Sequence, residues 1–203
     1  RFVKFPSPSL GKLRTVLGFV IILASFIVLG CSSIETEYPE PAFINSPDCN
    51  DLEHGLLPVT DLTLSSDDFD IAIQVEIADE PSERAQGLMC RESIAQATGM
   101  LFTYETDRSN GFWMQNTYVP VDILHLDSAG NVVDALTMTP CLRGGLTDGD
   151  WQVKCATEAA KYVPKSPWHY ALELPAGWLE SKGIANPMTA NTNVYWSEVS
   201  SDN

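Results

Sequence analysis

The sequence predicts a mainly β fold of the β-rich α+β class, in which a single compact sandwich or small barrel carries short helices. Many segments alternate apolar and polar residues with a period of two, which is the pattern of half-buried strands. Turn residues and short helix signals separate these segments at close spacing, as in sandwiches and barrels. The chain of 203 residues is long enough for one such domain with tails.

The first clear strand is the segment FDIAIQVEI, residues 69–77, in which every second residue is apolar. A short helix to about Met89 is expected after it, because Pro81 suits the first helical position and acids occupy the first turn. The sequence therefore predicts a strand followed by a helix at the start of the folded domain.

Further strands are predicted where apolar runs lie between turn residues. The turn DSAGN, residues 127–131, joins two of these strands into a hairpin. A long loop with two cysteines is expected over 139–167, and a short helix is expected between Pro175 and Gly183. The predicted strands cover residues 99–104, 111–117, 121–126, 132–138, 168–174 and 193–199.

The N-terminus has the composition of an exported lipoprotein. Residues 1–15 carry basic side chains and no acid, residues 16–29 are apolar and uncharged, and GCSS follows. This order describes a secretory signal, so residues 1–30 are expected to be a signal peptide. The end of the run, VLGC, resembles a bacterial lipobox, which makes Cys31 the expected lipidated residue. The alternative is an uncleaved anchor helix, and both place the body outside the cytoplasm, in the cell envelope.

Residues 31–66 are expected to form an acidic, flexible tether to the membrane. From residue 32 the segment contains four prolines and several acids but no Lys or Arg, and such composition favours disorder. The folded domain is accordingly expected over 67–203. The formal net charge of the chain is −15 at pH 7, which disfavours nucleic acid as a partner.

Four blocks of sequence occur in a fixed order: ERAQGLMCRES, GMLFTY, FWMQNTYVPVDILHLDSAGNVV and YALELPAGWLESKGI. Together they resemble the bacterial and archaeal family called DUF192 or UPF0127, over about residues 68–185. The resemblance implies one compact, mainly β domain with short helices. It implies no activity, since the name of the family states that none is established.

The number of cysteines predicts disulfides. With Cys31 assigned to lipid, four cysteines remain, and an even number outside the cytoplasm favours pairing. Cys141 and Cys155 flank one loop and are expected to bond, which would stabilise the fold by roughly 3 kcal/mol in the chain-entropy model. Cys49 and Cys90 would then join the end of the tether to the domain.

The sequence predicts neither a cofactor nor a metal site. It has no C-x-x-C pair, and His54, His125 and His169 are scattered without the spacing of metal ligands. His125 and His169 are instead expected to be ordinary residues of the sheet. The sequence also lacks the G-x-S-x-G, H-E-x-x-H and phosphate-loop motifs.

The block FWMQNTYVPVD is the candidate ligand cleft. Trp113 offers aromatic surface, Asn116 and Asp122 offer an amide and an acid, and Pro120 fixes a bend, with Arg91 as the expected counter-charge. The same amide and acid are typical of a structural corner, where they would hydrogen-bond the backbone of a tight turn, and the sequence favours this interpretation slightly. Both interpretations remain open at this stage.

Two classes of function follow. The first is a membrane-tethered binding or accessory module without catalysis, whose ligand is a small molecule or a component of the cell envelope. The second is a small hydrolase or carbohydrate-active enzyme that uses Asp122 and Glu173. Carboxyl groups about 5–10 Å apart in an open cleft would favour the enzyme. The alternation of the strands favours instead that both acids are solvated or paired with Arg84 or Arg91.

Overall fold

The computed structural model describes residues 37–197, which form one folded unit of seven strands with short helices. The predicted signal peptide and Cys31 lie outside the described residues. The helices are α1 (Pro81–Gln86), α2 (Asp148–Ala159) and α3 (Trp178–Ser181). The strands are β1 (Val59–Ser65), β2 (Asp70–Ala78), β3 (Thr98–Arg108), β4 (Val121–Leu126), β5 (Val132–Met138), β6 (Trp168–Pro175) and β7 (Asn193–Trp196).

All seven strands belong to one sheet in the order β5-β4-β6-β3-β2-β1-β7. The pair β2–β3 is parallel, as the helical connection through α1 requires, and the other pairs are antiparallel. The two edge strands meet at one end, where Asn131 bridges Asn193 and the Val194 N–H donates to Gly130 O at 2.8 Å. The prediction of a β-rich compact fold is confirmed, with a single curved sheet as in the barrel alternative.

Buried side chains cover both faces of the sheet. Along β3, Met100 and Phe102 enter one core cluster and Leu101 enters the other, because successive strand residues point to opposite faces. Helix α2 covers the first cluster with Trp151, and α3 covers the second with Trp178. A strand that is buried on both faces has a continuous apolar run, which explains the run GMLF at the start of β3.

The predicted hairpin agrees with the structure, whereas the strand predicted at 111–117 is wrong. Strands β4 and β5 have the expected bounds. Residues 111–117 are irregular apart from a single bridge between Gln115 and Cys141. Asn116 itself cannot belong to a strand, because its φ of 59° is a left-handed conformation.

The segment predicted as a long loop, 139–167, contains helix α2. The Thr147 hydroxyl accepts a hydrogen bond from the Asp150 N–H at 3.2 Å and so caps the start of this helix. A threonine followed three residues later by an acid is a recognisable helix start.

Residues 37–66 are part of the folded unit, so the prediction of a flexible tether up to residue 66 is wrong over this range. Strand β1 pairs with both β2 and β7 and buries Leu62 and Leu64 in the core. Before it, a strap of residues 37–50 lies on the domain, where the Ile44 N–H donates to Cys90 O at 2.8 Å. The segment is acidic, but the residues VTDLTLS alternate as in a strand. The burial of their apolar side chains stabilises the segment in an ordered conformation. Within residues 37–197, no helix combines the length and apolar character needed to cross a membrane.

Candidate ligand-binding site

The four residues of the predicted cleft do not converge on one site. Trp113 lies on the surface with 43% of its area exposed. Arg91 is buried and forms an ion pair with Glu76, with 2.8 Å between Nη2 and Oε2. Arg91 is therefore not the counter-charge of Asp122, and its guanidinium packs over the ring of Phe43 instead.

Asn116 forms a structural corner. Its Nδ2 donates to Asp48 O at 2.6 Å, and its own main-chain oxygen accepts from the Cys90 N–H at 2.8 Å. These bonds connect the 111–117 segment to the strap and to Cys90, which follows helix α1. This geometry supports the corner interpretation for Asn116, although the residue also lines a groove of about 330 Å³ beside Met89.

Asp122 fixes the start of α3. Its Oδ2 accepts from the Gly177 N–H at 2.7 Å, and its Oδ1 accepts from the Thr137 hydroxyl at 2.6 Å. Gly177 directly precedes α3, so the carboxylate of Asp122 satisfies a main-chain donor at this helix terminus. Asp122 lines a groove of about 500 Å³ beside strand β5, which is a different groove from that of Asn116.

Asp122 and Glu173 lie on opposite faces of the sheet. In the pairing of β4 with β6, Asp122 is opposite Leu174 while Ile123 is opposite Glu173. Directly opposed residues share a face, and neighbours along a strand do not. The two acids thus cannot act on one substrate, and the hydrolase alternative loses the pair on which it depended.

Glu173 is buried with 6% of its area exposed, contrary to the expectation of a solvated or paired acid. It faces the core cluster between Met100 and Ile123, to which it is opposed in the sheet. Its carboxyl group makes no hydrogen bond to residues 37–197. Burial raises the pKa of Glu173 to about 8, because no nearby group compensates the loss of water around its charged form.

His125 lies on the same face as Glu173 and is completely buried. Its ring packs against Trp168, with 5.2 Å between ring centres, and neither nitrogen has a hydrogen-bond partner among the described residues. Burial lowers the pKa of His125 to about 4, although the neighbouring Asp134 acts in the opposite direction. Both residues are therefore neutral at pH 7 inside an apolar cluster, which is an arrangement without access for a substrate.

The largest of the described grooves, at about 760 Å³, surrounds Tyr104 near the end of strand β3. We call it the Tyr104 groove. Its walls carry two arginines, Arg84 and Arg108, and two further aromatic residues, Tyr170 and Trp196. Clefts of this size that combine aromatic surface with a few polar groups are typical of ligand sites.

Both arginines of the Tyr104 groove pack on the same ring. Their guanidinium carbons lie 4.9 Å (Arg84) and 5.1 Å (Arg108) from the ring centre of Tyr104. Arg84 is held in place because its Nη1 donates to Thr103 O at 3.1 Å and to Asp79 O. Burial raises the pKa of the Tyr104 hydroxyl, and the two arginines oppose this shift.

The two arginines of the groove differ from the other arginines that the structure describes. Arg91 pairs with Glu76 and Arg143 pairs with Asp48, whereas Arg84 and Arg108 form no ion pair with residues 37–197. Sequence reasoning missed this groove because it ended the strand at residue 104. Strand β3 continues to Arg108, and its register against β6 shifts between Thr103 and Arg108, so simple alternation could not place Arg108 beside Tyr104.

Both expected disulfides are present. Cys49 bonds to Cys90 and Cys141 bonds to Cys155, each with 5.8 Å between the Cα atoms. The first joins the strap to the domain, and the second joins α2 to the segment after β5. Across residues 37–197, no group of three or more His, Cys, Asp or Glu side chains is arranged to hold a metal ion.

The comparisons with known proteins agree with the sequence resemblance. A family model described as DUF192, an uncharacterised family, matches residues 62–190. The chain is 33% identical over 97 residues to a UPF0127 protein of Pyrococcus abyssi (strain GE5 / Orsay), an alignment that covers 46% of this chain and 71% of that protein.

Two solved structures have a similar fold. One, from Sinorhizobium meliloti 1021, is described as a candidate transcription regulator; it is 26% identical with a TM-score of 0.54, covering 70% of this chain and 95% of that one. The other is a protein of unknown function from Novosphingobium aromaticivorans DSM 12444. It is 21% identical with a TM-score of 0.52, covering 79% of this chain and 95% of that one, and supports the fold alone.

Proposed function

Since the chain belongs to the DUF192 family of uncharacterised proteins, we propose a function from the geometry of its own residues: it is a binding module, displayed outside the cytoplasm, that performs no catalysis. The observation that carries this function is the Tyr104 groove. It is open, it has the volume of a ligand site, and its arginines offer donors that no carboxylate of residues 37–197 occupies.

Two disulfides support the location outside the cytoplasm. Thiols are kept reduced in the cytoplasm, whereas disulfides persist in oxidising compartments. Both bonds lie within the folded unit. In this function the signal at 1–30 directs export, and a lipid on Cys31 holds the domain at the membrane, where a small molecule or an envelope component is the ligand.

Mass spectrometry of the mature N-terminus from a bacterial host tests the anchor. We expect the chain to begin at Cys31 with a lipid attached, because the basic–apolar–small order ends at this residue. An intact segment 1–30, or cleavage elsewhere with an unmodified Cys31, would contradict the lipoprotein assignment. This result would not affect the proposed binding function, which is tested separately.

Thermal-shift screening of the full chain tests binding. The library contains sugars, peptidoglycan fragments, metal ions and nucleotides, and a ligand at 100 times its dissociation constant is expected to add about 2.7 kcal/mol to the free energy of unfolding. The shift is expected to disappear in Trp196→Ala, which alters the Tyr104 groove, and to persist in Trp113→Ala, which removes an exposed tryptophan elsewhere. Each variant is compared with its own ligand-free sample. No shift with any compound, or equal losses in both variants, would contradict binding in this groove.

A further inference from the structure

The Tyr104 groove holds two positive charges close together. The guanidinium carbons of Arg84 and Arg108 both lie near one ring centre, at 4.9 and 5.1 Å. They are therefore within about 10 Å of each other, a distance comparable to the Debye length of about 8 Å at physiological salt. Like charges at this distance repel each other, and a bound anion would remove the repulsion.

The two arginines also retain hydrogen-bond donors for an anion. Nη1 of Arg84 donates to the main-chain oxygens of Asp79 and Thr103. Its Nε and Nη2 make no hydrogen bond to residues 37–197. Arg108 is exposed, and its guanidinium makes no hydrogen bond to this part of the chain either. Arg84 is thus fixed in position, and both planar groups offer the forked donors that match a carboxylate.

The surroundings favour a singly charged anion over a polyanion. Asp79, Glu80 and Glu105 line the same groove, and the chain has a formal net charge of −15. These acids repel a ligand in proportion to its negative charge. A phosphate with two negative charges is therefore repelled more strongly by these acids, and loses more binding free energy, than a carboxylate with one charge.

The aromatic residues of the groove favour a ligand with a ring. Tyr170 and Trp196 both line it and pack edge to face, with 4.9 Å between their ring centres. Aromatic side chains provide a large contact area for the flat face of a ligand at small entropic cost.

Tyr104 packs against the core cluster on one face of the sheet, and Tyr170 and Trp196 pack against the cluster on the other. The groove reaches both sets because β2 ends opposite Phe102, so within residues 37–197 β3 has no neighbouring strand on that side from Thr103 onward. A ligand that extends around this edge can meet the arginine donors with one part and the aromatic surface with another.

We infer that the Tyr104 groove binds a small ligand that carries one carboxylate on a ring. Arg84 and Arg108 hold the carboxylate, and Tyr170 and Trp196 pack against the ring. The inference rests on the proposed binding function and adds the chemical class of the ligand. Carboxylated sugars and aromatic acids share this chemistry, and the test separates them.

Isothermal titration calorimetry of the full chain tests the inference with four probes, each up to about 10 mM. Glucuronate and benzoate carry one carboxylate on a ring, glucose lacks the carboxylate, and inorganic phosphate carries more charge without a ring. We expect at least one of the two carboxylates to bind more tightly than glucose and phosphate. The preference between glucuronate and benzoate identifies a sugar or an aromatic acid as the natural class.

Arginine variants test where the carboxylate binds. Arg108→Gln is expected to weaken binding by at least about tenfold, and Arg108→Lys is expected to retain part of the affinity because it keeps the charge. Lys161→Gln is the matched control, since it removes one positive charge from an exposed residue that does not line the groove. Its affinity is expected to equal that of the unaltered chain.

Several results would overturn the inference. These are equal affinity in Arg108→Gln, an equal loss in Lys161→Gln, tighter binding of phosphate, or no binding of either carboxylate. Binding of glucose alone, lost in Trp196→Ala, would reject the carboxylate and leave the binding function in place. Failure of every compound in the thermal-shift screen would reject the binding function itself.

Discussion

Asn116 lies in the segment 111–117, where the sequence predicts a strand that the structure does not contain. Its φ of 59° belongs to the left-handed region, and its side chain donates to Asp48 O. We expect Asn116→Ala to lower the free energy of unfolding by about 1–3 kcal/mol, because it loses this bond and places alanine in a strained conformation. Chemical denaturation measures the change.

The control for this prediction is Asn116→Gly. Glycine loses the same hydrogen bond but adopts a positive φ without strain, so this variant is expected to be the more stable of the two. Equal losses would mean that the backbone conformation contributes nothing. An unchanged stability in Asn116→Ala would contradict the interpretation of Asn116 as a structural corner. It would favour the alternative that Asn116 contacts a ligand.

Glu173 and His125 predict the pH dependence of stability. Burial raises the pKa of Glu173 to about 8 in the folded state, whereas its ordinary pKa of 4.5 applies when the chain is unfolded. The contribution of Glu173 to stability therefore falls as pH rises over this range. Burial lowers the pKa of His125 to about 4 in the folded state, against its ordinary pKa of 6.5 in the unfolded chain. Its contribution to stability therefore falls as pH drops below 6.5. The two slopes oppose each other below pH 6.5.

We therefore expect the free energy of unfolding to be nearly level below pH 6.5 and to fall between pH 6.5 and about 8. The slope is at most about 1.4 kcal/mol per pH unit for one group. Urea denaturation across this range measures it. Glu173→Gln is expected to abolish the fall, and His125→Phe is expected to start it at lower pH. A fall that persists in Glu173→Gln would contradict this assignment.

At the scale of elements, the strap of residues 37–50 depends on a covalent crosslink. The Ile44 N–H donates to Cys90 O, and the Glu92 N–H donates to Ala42 O. The disulfide Cys49–Cys90 closes 41 residues and should contribute about 4 kcal/mol in the chain-entropy model. We expect the double variant Cys49→Ser/Cys90→Ser to lose this stability and to exchange its Ile44 and Glu92 amide hydrogens faster.

A variant without the disulfide Cys141–Cys155 is the control for the variant without Cys49–Cys90. The variant Cys141→Ser/Cys155→Ser opens a loop of 14 residues and is expected to lose about 3 kcal/mol. Its Ile44 and Glu92 amides are expected to stay protected under native conditions, because α2 and the strap are crosslinked separately. Faster exchange at these amides in both variants would show that the strap is released by general loss of stability.

At the scale of the whole molecule, the ends of the sheet meet only because Gly130 has no side chain. Its φ is 83°, and a Cβ at this position would overlap the main-chain oxygen of Val194. We expect Gly130→Ala to lower stability by more than about 1 kcal/mol and to speed hydrogen exchange at Val194 and Val132. Gly145→Ala, where a Cβ meets nothing within 4 Å, is expected to change stability by at most about 0.5 kcal/mol.

The strand pattern, the hairpin and the pairs of cysteines could be predicted from the sequence because local periodicity and turn chemistry determine them. Strands β4 and β5 follow from alternation around DSAGN, and two disulfides follow from the four cysteines other than Cys31. The start of the folded unit could not be predicted from composition alone. β1 is ordered by pairing with β2 and β7, which are distant from each other in the sequence.

The sequence by itself determined a β-rich domain with the motifs of its family. Only the tertiary structure decided which polar residues meet. It put Asp122 and Glu173 on opposite faces, because one residue of register separates them, and it buried Glu173 where alternation suggested water. It also brought Arg84 and Arg108 to the same tyrosine from two different elements. Such encounters depend on register and sheet curvature, which are set by long-range pairing and not by local pattern.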